Sequence, residues 1–116
     1  MEKEYTIKSV KMISPKSQMA QKILDGTIEE IEIPENITKI PSGIFNSCIN
    51  LKRVILPKSI TKIEDWSFEN CSSLKEIEYQ GSVSDWNSIS LSVWWNDRSS
   101  ITTIICNDGN ITIQED

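Results

Sequence analysis

The amino-acid sequence predicts a β-rich solenoid, a chain wound into coils of one repeat each. Three observations carry that expectation. The chain matches itself at a shift of 23 residues. Within each repeat, apolar residues fall at the alternating positions of a short strand. At both ends the repeat gives way to sequence suited to closing an open stack. A unit of this length cannot bury its own apolar face, so successive units must shelter one another.

The self-match is long. At the 23-residue shift, Pro34 falls on Pro57, Ile37-Thr38-Lys39-Ile40 on Ile60-Thr61-Lys62-Ile63, Phe45 on Phe68 and Cys48 on Cys71. Ile28, Ile31 and Ile33 fall on Leu51, Val54 and Leu56, and a decayed third copy follows with Leu74, Ile77, Tyr79 and Val83. The period and the L-x-x-L-x-L core are those of leucine-rich repeats. Carried outward, the spacing adds Ile7, Val10 and Met12, 21 residues before Ile28, and Ile101, Ile104 and Cys106, 27 residues after Leu74. The prediction is therefore five short parallel strands near 7–12, 28–33, 51–56, 74–79 and 101–106, in about four coils, with equivalent side chains stacked at ~4.8 Å per coil.

The ends differ from the repeats. Ser14-Pro15 supplies an N-cap and a proline at the first helical position, predicting a capping helix at 15–25. Met19, Ala20, Ile23 and Leu24 lie on one face of it, and Gly26 can take the left-handed C-terminal position. At the other end, Asn107-Asp108-Gly109-Asn110 lies between Ile104–Cys106 and Ile111–Ile113 and predicts a β-hairpin whose return strand covers the sheet edge. The whole chain, 1–116, reads as one domain: an N-terminal cap coil over 1–27, repeats over 28–96 and a C-terminal cap over 97–116.

Composition narrows function. Net charge is -5 and the pI about 4.8, and the 12 basic residues form no run, so direct nucleic-acid binding is not expected. No apolar run reaches the ~18 residues of a membrane span. MEKEYTIK lacks the apolar core of a secretory leader, which predicts a cytoplasmic protein. Three cysteines without a C-x-x-C pair indicate neither a disulfide framework nor a zinc site, and there is no histidine to act as base or ligand. Catalytic residues, metal ligands and cofactors are not expected.

The segments IEEIEIPENITKIPSGIFNSCIN (28–50) and LKRVILPKSITKIEDWSFENCSS (51–73), with EYQGSVSDWNSIS and WWNDRSSITTIICNDGNITI beyond them, resemble the BspA-like (Treponema-type) leucine-rich-repeat family over roughly 28–113. Glu64 stands where that pattern usually has glycine. The resemblance implies a right-handed solenoid used for protein–protein or cell-surface adhesion, and no catalytic residues.

Several residue groups admit more than one reading. Cys48 and Cys71, one repeat apart, are either a redox pair or small buried thiols. Packing is favoured, because in-register Cβ atoms stand wider than the ~3.8 Å of a disulfide. Cys106 reads as core. Asn107-Asp108-Gly109-Asn110 lacks the alternating oxygen ligands of a calcium loop. Asn36, Asn70 and Asn110 begin glycosylation-type triplets that read as chance matches without a leader. The outward strand positions run Lys8, Glu29, Lys52, Lys75, then Ser9, Glu30, Arg53, Glu76, then Lys11, Glu32, Ile55, Glu78. They either stabilise the ladder through cross-strand charge pairs or, with Ile105, form a recognition face of roughly 400 Å². Trp86 falls on the Ile40/Ile63 position and Trp94 on the Cys48/Cys71 position, which predicts that both are buried. Trp66, opposite Gly43, and Trp95 are expected at the surface, where tryptophan is a frequent binding hot spot.

The function these residues predict is non-enzymatic protein binding through Arg53, Ile55, Trp66, Trp95 and Ile105. The rival is a small acidic cytoplasmic inhibitor from a phage or mobile element, blocking a nucleic-acid enzyme as an anti-CRISPR protein would. A homodimer through the open solenoid face is a third possibility.

Overall fold

A computed structural model describes residues 18–113. In chain order they form α1 (Gln18–Asp25), β1 (Glu30–Glu32), β2 (Lys39–Ile40), β3 (Arg53–Leu56), β4 (Lys62–Ile63), β5 (Glu76–Tyr79), α2 (Val83–Asn87), β6 (Ser90–Leu91), β7 (Thr103–Cys106) and β8 (Gly109–Thr112). Strands β1-β3-β5-β7 are parallel neighbours in one sheet, with β8 antiparallel at its far edge, and β2-β4-β6 make a second parallel sheet. The chain is a β-solenoid. The predicted strand near 7–12 and the start of the predicted helix lie outside the described residues, as do the side chains of Met19 and Ala20.

The stacking is the one the repeat predicts. Ile31, Val54, Ile77 and Ile104 are consecutive partners across four strands, and all four are buried. Leu51, Leu56, Leu74 and Ile101, at the strand flanks, are buried too. The turns stack as the strands do. The Phe45 N–H donates to the Ser67 carbonyl at 2.9 Å and the Phe68 N–H to the Trp95 carbonyl at 2.9 Å. The Phe45 and Phe68 rings stack at 5.2 Å with 17° between planes. Among the described residues one polar side chain is enclosed: the Ser67 hydroxyl lies 2.7 Å from the Glu64 carbonyl and 3.0 Å from that of Pro41, so its single donor is satisfied.

Sheet β2-β4-β6 was not anticipated, because two-residue strands carry no alternation to read. Nor was α2. Its N-cap Ser82 and Asp85 make a capping box: the Asp85 N–H donates to Ser82 Oγ at 2.9 Å and the Ser82 N–H to Asp85 Oδ2 at 3.0 Å. Those bonds hold the Asp85 carboxyl below its ordinary value. Because α2 is an insertion, the third coil resumes in a shifted register, with Leu91 beside Ile63.

Three expectations about tryptophan are corrected by this shift. Trp86 is buried, but on α2, and Leu91 holds the position assigned to it. Trp94 is exposed and adjoins Trp66, whose N–H donates to the Trp94 carbonyl at 2.9 Å. Trp95 is 6% exposed, edge-on to Phe68 at 6.1 Å and to Trp86 at 6.0 Å. With Tyr79 against Trp86 at 5.4 Å, the rings form a continuous aromatic chain through the last coil.

At the ends, Gly26 takes the left-handed φ of +78° after α1, as expected, and Ile23 is buried. Leu24 is exposed, contrary to its expected place on the buried face, since one residue of helix rotates a side chain by ~100°. The C-terminal hairpin pairs Ile104 with Ile111 and Cys106 with Gly109, so its turn is centred on Asn107-Asp108 rather than Asp108-Gly109. Asp108 Oδ1 accepts from the Val83 N–H at 2.8 Å, tying the hairpin tip to α2.

Cys48, Cys71 and Cys106 are free and buried. Burial pushes the Cys48 thiol up to about 11 and the Cys71 thiol up to about 12, and raises that of Cys106. Two outcomes follow from this packing. Phe68→Ala is expected to cost about 3–5 kcal/mol in denaturant unfolding; a loss below about 1 kcal/mol would mean the ring stack is not the core. All three thiols should resist a thiol-specific reagent near pH 8 and react on unfolding. A raised thiol pKa stabilises the folded state below the ordinary value of 9.0, and that contribution is lost as pH climbs through about 11–12. Rapid labelling of the native protein would contradict this.

Candidate protein-binding surfaces

Strand alternation sends Val54, Ile77 and Ile104 inward and sets their neighbours on the outer face of the larger sheet. One outer row runs Glu30, Arg53, Glu76, Thr103 and the next Glu32, Ile55, Glu78, Ile105. Arg53 Nε lies 2.8 Å from Glu78 Oε2 and Nη2 lies 3.2 Å from Oε1, a bidentate clamp, while Nη1 lies 3.7 Å from Glu30. This bond holds the Glu78 carboxyl below its ordinary value and raises the Arg53 guanidinium. The pair is solvent-exposed, so its stabilisation is small, of the order of 0–1 kcal/mol. Its greater effect is to fix two long side chains in one place. Ile55 and Ile105, half-buried, flank Glu78 on the adjoining strands. The face opens into a shallow hollow of about 740 Å³, lined among others by Arg53, Ile55, Glu78 and Ile105.

A second surface lies at the turns that follow β2, β4 and β6. Gly43 and Trp66 occupy matching places there, with φ of +71° and +60°. Glycine adopts that region freely; a tryptophan held there costs roughly 1–2 kcal/mol. Trp66 is nevertheless 43% exposed, so core packing does not account for it. Beside it on the next coil are Trp94 at 51%, Val93 at 79% and Leu91 at 38% exposed.

Arg53, Ile55 and Ile105 thus come together on one face, Trp66 stands on another, and Trp95 belongs to the core rather than to any contact surface. Sequence reasoning missed Leu91, Val93 and Trp94. The Ser82-x-x-Asp85 capping pattern was the signal for the insertion that brings them out. Chemically, the three thiols are buried with raised pKa values and the Glu78 carboxylate is clamped by Arg53, so none of these four groups is poised as a nucleophile. Among the described residues, no group of three His, Cys, Asp or Glu side chains could hold a metal ion. No described helix is long and apolar enough to cross a membrane.

Comparison with known proteins agrees with this architecture. No protein with a curated description matches the chain. A solved structure, a leucine rich cell surface protein from Faecalibacterium prausnitzii, is similar at 48% identity and a TM-score of 0.53, over 54% of this chain and 17% of that one. The chain therefore spans about a sixth of that protein's length. The family model for the BspA type leucine rich repeat region matches residues 4–116. With that match across nearly its whole length, and with coils stacked in the register the repeat dictates, the chain belongs to the BspA-type leucine-rich-repeat family.

Proposed function

We propose that the chain is a non-enzymatic protein-binding module whose primary contact is the outer face of the larger sheet. The observation that carries this reading is the pair Ile55 and Ile105, outward and half-buried on one row of an otherwise charged and polar surface. They lie two strands apart, about 10 Å, with Glu78 between them, held by Arg53 of the adjoining row. Outward rungs lie outside the stacked core, so filling that core does not require apolar side chains there. Bounded by fixed charges, they make a small apolar centre with a polar rim, the anatomy of a protein interface. Membership of a repeat family supports the same reading. The face offers roughly 400 Å², about half of what a specific interface buries per partner, so neighbouring loops must add to it. The net charge of -5 favours a basic partner, and nucleic-acid enzymes are the first class to screen.

The test is to isolate partners by affinity capture and measure each, purified, against wild type, Ile55→Asp and Ile105→Asp. Either charge should weaken the Kd by at least about tenfold while the circular dichroism stays native. Wild-type affinity in both variants would show that the sheet face is not the contact.

A further inference from the structure

We propose that the turn edge carries a second recognition surface, built on Trp66 and Trp94, that takes a lysine- or arginine-bearing segment of a partner protein. This surface is separate from the sheet face and does not depend on it.

The coils differ systematically at this edge. Where the first described coil has Ser42 and Gly43, the second has Asp65 and Trp66, and the third has Val93 and Trp94. Phe45 and Phe68 are both wholly buried over the same stretch, while the buried position beside them runs Ile44, Ser67, Trp95. At the edge itself the change falls on side chains that the fold leaves to solvent, Trp66 at 43% and Trp94 at 51% exposed. Four of the six large apolar residues exposed among the described residues gather here: Trp66, Leu91, Val93 and Trp94. Trp66 sits in a left-handed conformation that the preceding repeat gives to glycine. Backbone strain kept at an exposed side chain points to a role outside folding.

The charges around the two indoles indicate what fits. Asp65 precedes Trp66. Glu69 and Asp97 share the tryptophans' turns: the Glu69 N–H donates to the Trp66 carbonyl at 3.2 Å and the Asp97 N–H to the Trp94 carbonyl at 3.3 Å, and the 2.9 Å bond from the Asn70 N–H to the Asp97 carbonyl puts the two turns on adjacent rungs. Glu64 is engaged by Lys39 at 3.1 Å, and Arg98 reaches Asp97 only at 4.0 Å. Glu69 Oε1 accepts from the Asn46 amide, a neutral donor, at 2.6 Å. Exposed indoles that share their turns with carboxylates suit a cation that stacks on a ring and pairs with an acid of the same turn. A second copy of the chain fits poorly. Two half-exposed indoles with a valine and a leucine present roughly 400 Å², well short of the ~800 Å² per partner of a stable dimer. An extended basic segment is of the right size.

The experiment follows the four indole N–H resonances of the full chain during titration with a tryptophan-free Lys/Arg peptide, its Glu/Asp counterpart and its Gln counterpart. The cationic peptide should shift Trp66 and Trp94 saturably, leave Trp86 and Trp95 unmoved, and bind more weakly as salt rises. Trp94→Ala and Trp66→Ala should each weaken binding at least about tenfold, and Asp65→Asn with Asp97→Asn a few-fold. Trp66→Gly serves as the folding control, because it installs the residue of the preceding repeat; its Tm should equal or exceed wild type. A fall of more than about 5 °C would make Trp66 a packing residue and overturn the proposal. So would equal binding of the Gln peptide, the absence of any saturable shift, or concentration-dependent self-association that Trp94→Ala abolishes. Ile55→Asp should leave peptide binding intact even if it removes the sheet-face partner, so the two readings stand or fall separately. Loss of peptide binding in Ile55→Asp would overturn the claim of a second surface.

Discussion

Every coil of this chain buries its apolar edge against the next, and the constraint that follows is register. Ile31, Val54, Ile77 and Ile104 must lie side by side, because no single repeat has a second layer to cover them. The same demand extends into the turns, where Phe45 and Phe68 stack ring on ring and Ser67 and Trp95 supply carbonyls to the preceding coil. A solenoid held this way has two raw ends. Here the described ends are closed differently: α1 packs Ile23 onto the first coil and turns at Gly26, while β8 pairs with β7 and is pinned to α2 through Asp108.

Register also explains which features could be read from sequence. Inward columns of the larger sheet were legible, since a 23-residue period with alternating Ile, Leu and Val leaves few other ways to bury those side chains. The hairpin was legible from its turn residues, though its centre falls one residue earlier than Asp-Gly suggests. The third coil was not legible at fixed spacing. A capped helix of five residues precedes β6, and after it every position arrives late, so Leu91 rather than Trp86 meets Ile63 and Trp95 rather than Trp94 enters the core. The misreading came from carrying a period across an insertion. Residue types were not at fault: Ser82 and Asp85 announce the helix to anyone who looks for a cap before counting.

The candidate surfaces were harder to read for a related reason. Stacking dictates inward side chains and is nearly silent about outward ones, so periodicity carries little information there. Arg53 shows the ambiguity. Its bidentate bond to Glu78 and contact with Glu30 are the cross-strand pairing expected of any charged ladder, and that pairing alone would explain the arginine. Ile55 and Ile105 are not explained by it. Their neighbours on the same row are glutamates that the sheet tolerates equally well.

Outward positions are therefore where this fold can vary without loss of structure, and the turn edge shows how far. Between Gly43 and Trp66 the backbone keeps the same left-handed turn while the side chain goes from nothing to the largest available. The stacked turns above and below hold that conformation: Gly43 N–H donates to the Asp65 carbonyl, and Trp66 N–H to that of Trp94. The strain is borne by the ladder rather than relieved by a different turn. A scaffold whose inward columns set the backbone this firmly can present a tryptophan from a glycine site, and rigid presentation lowers the ordering entropy a partner must overcome on binding.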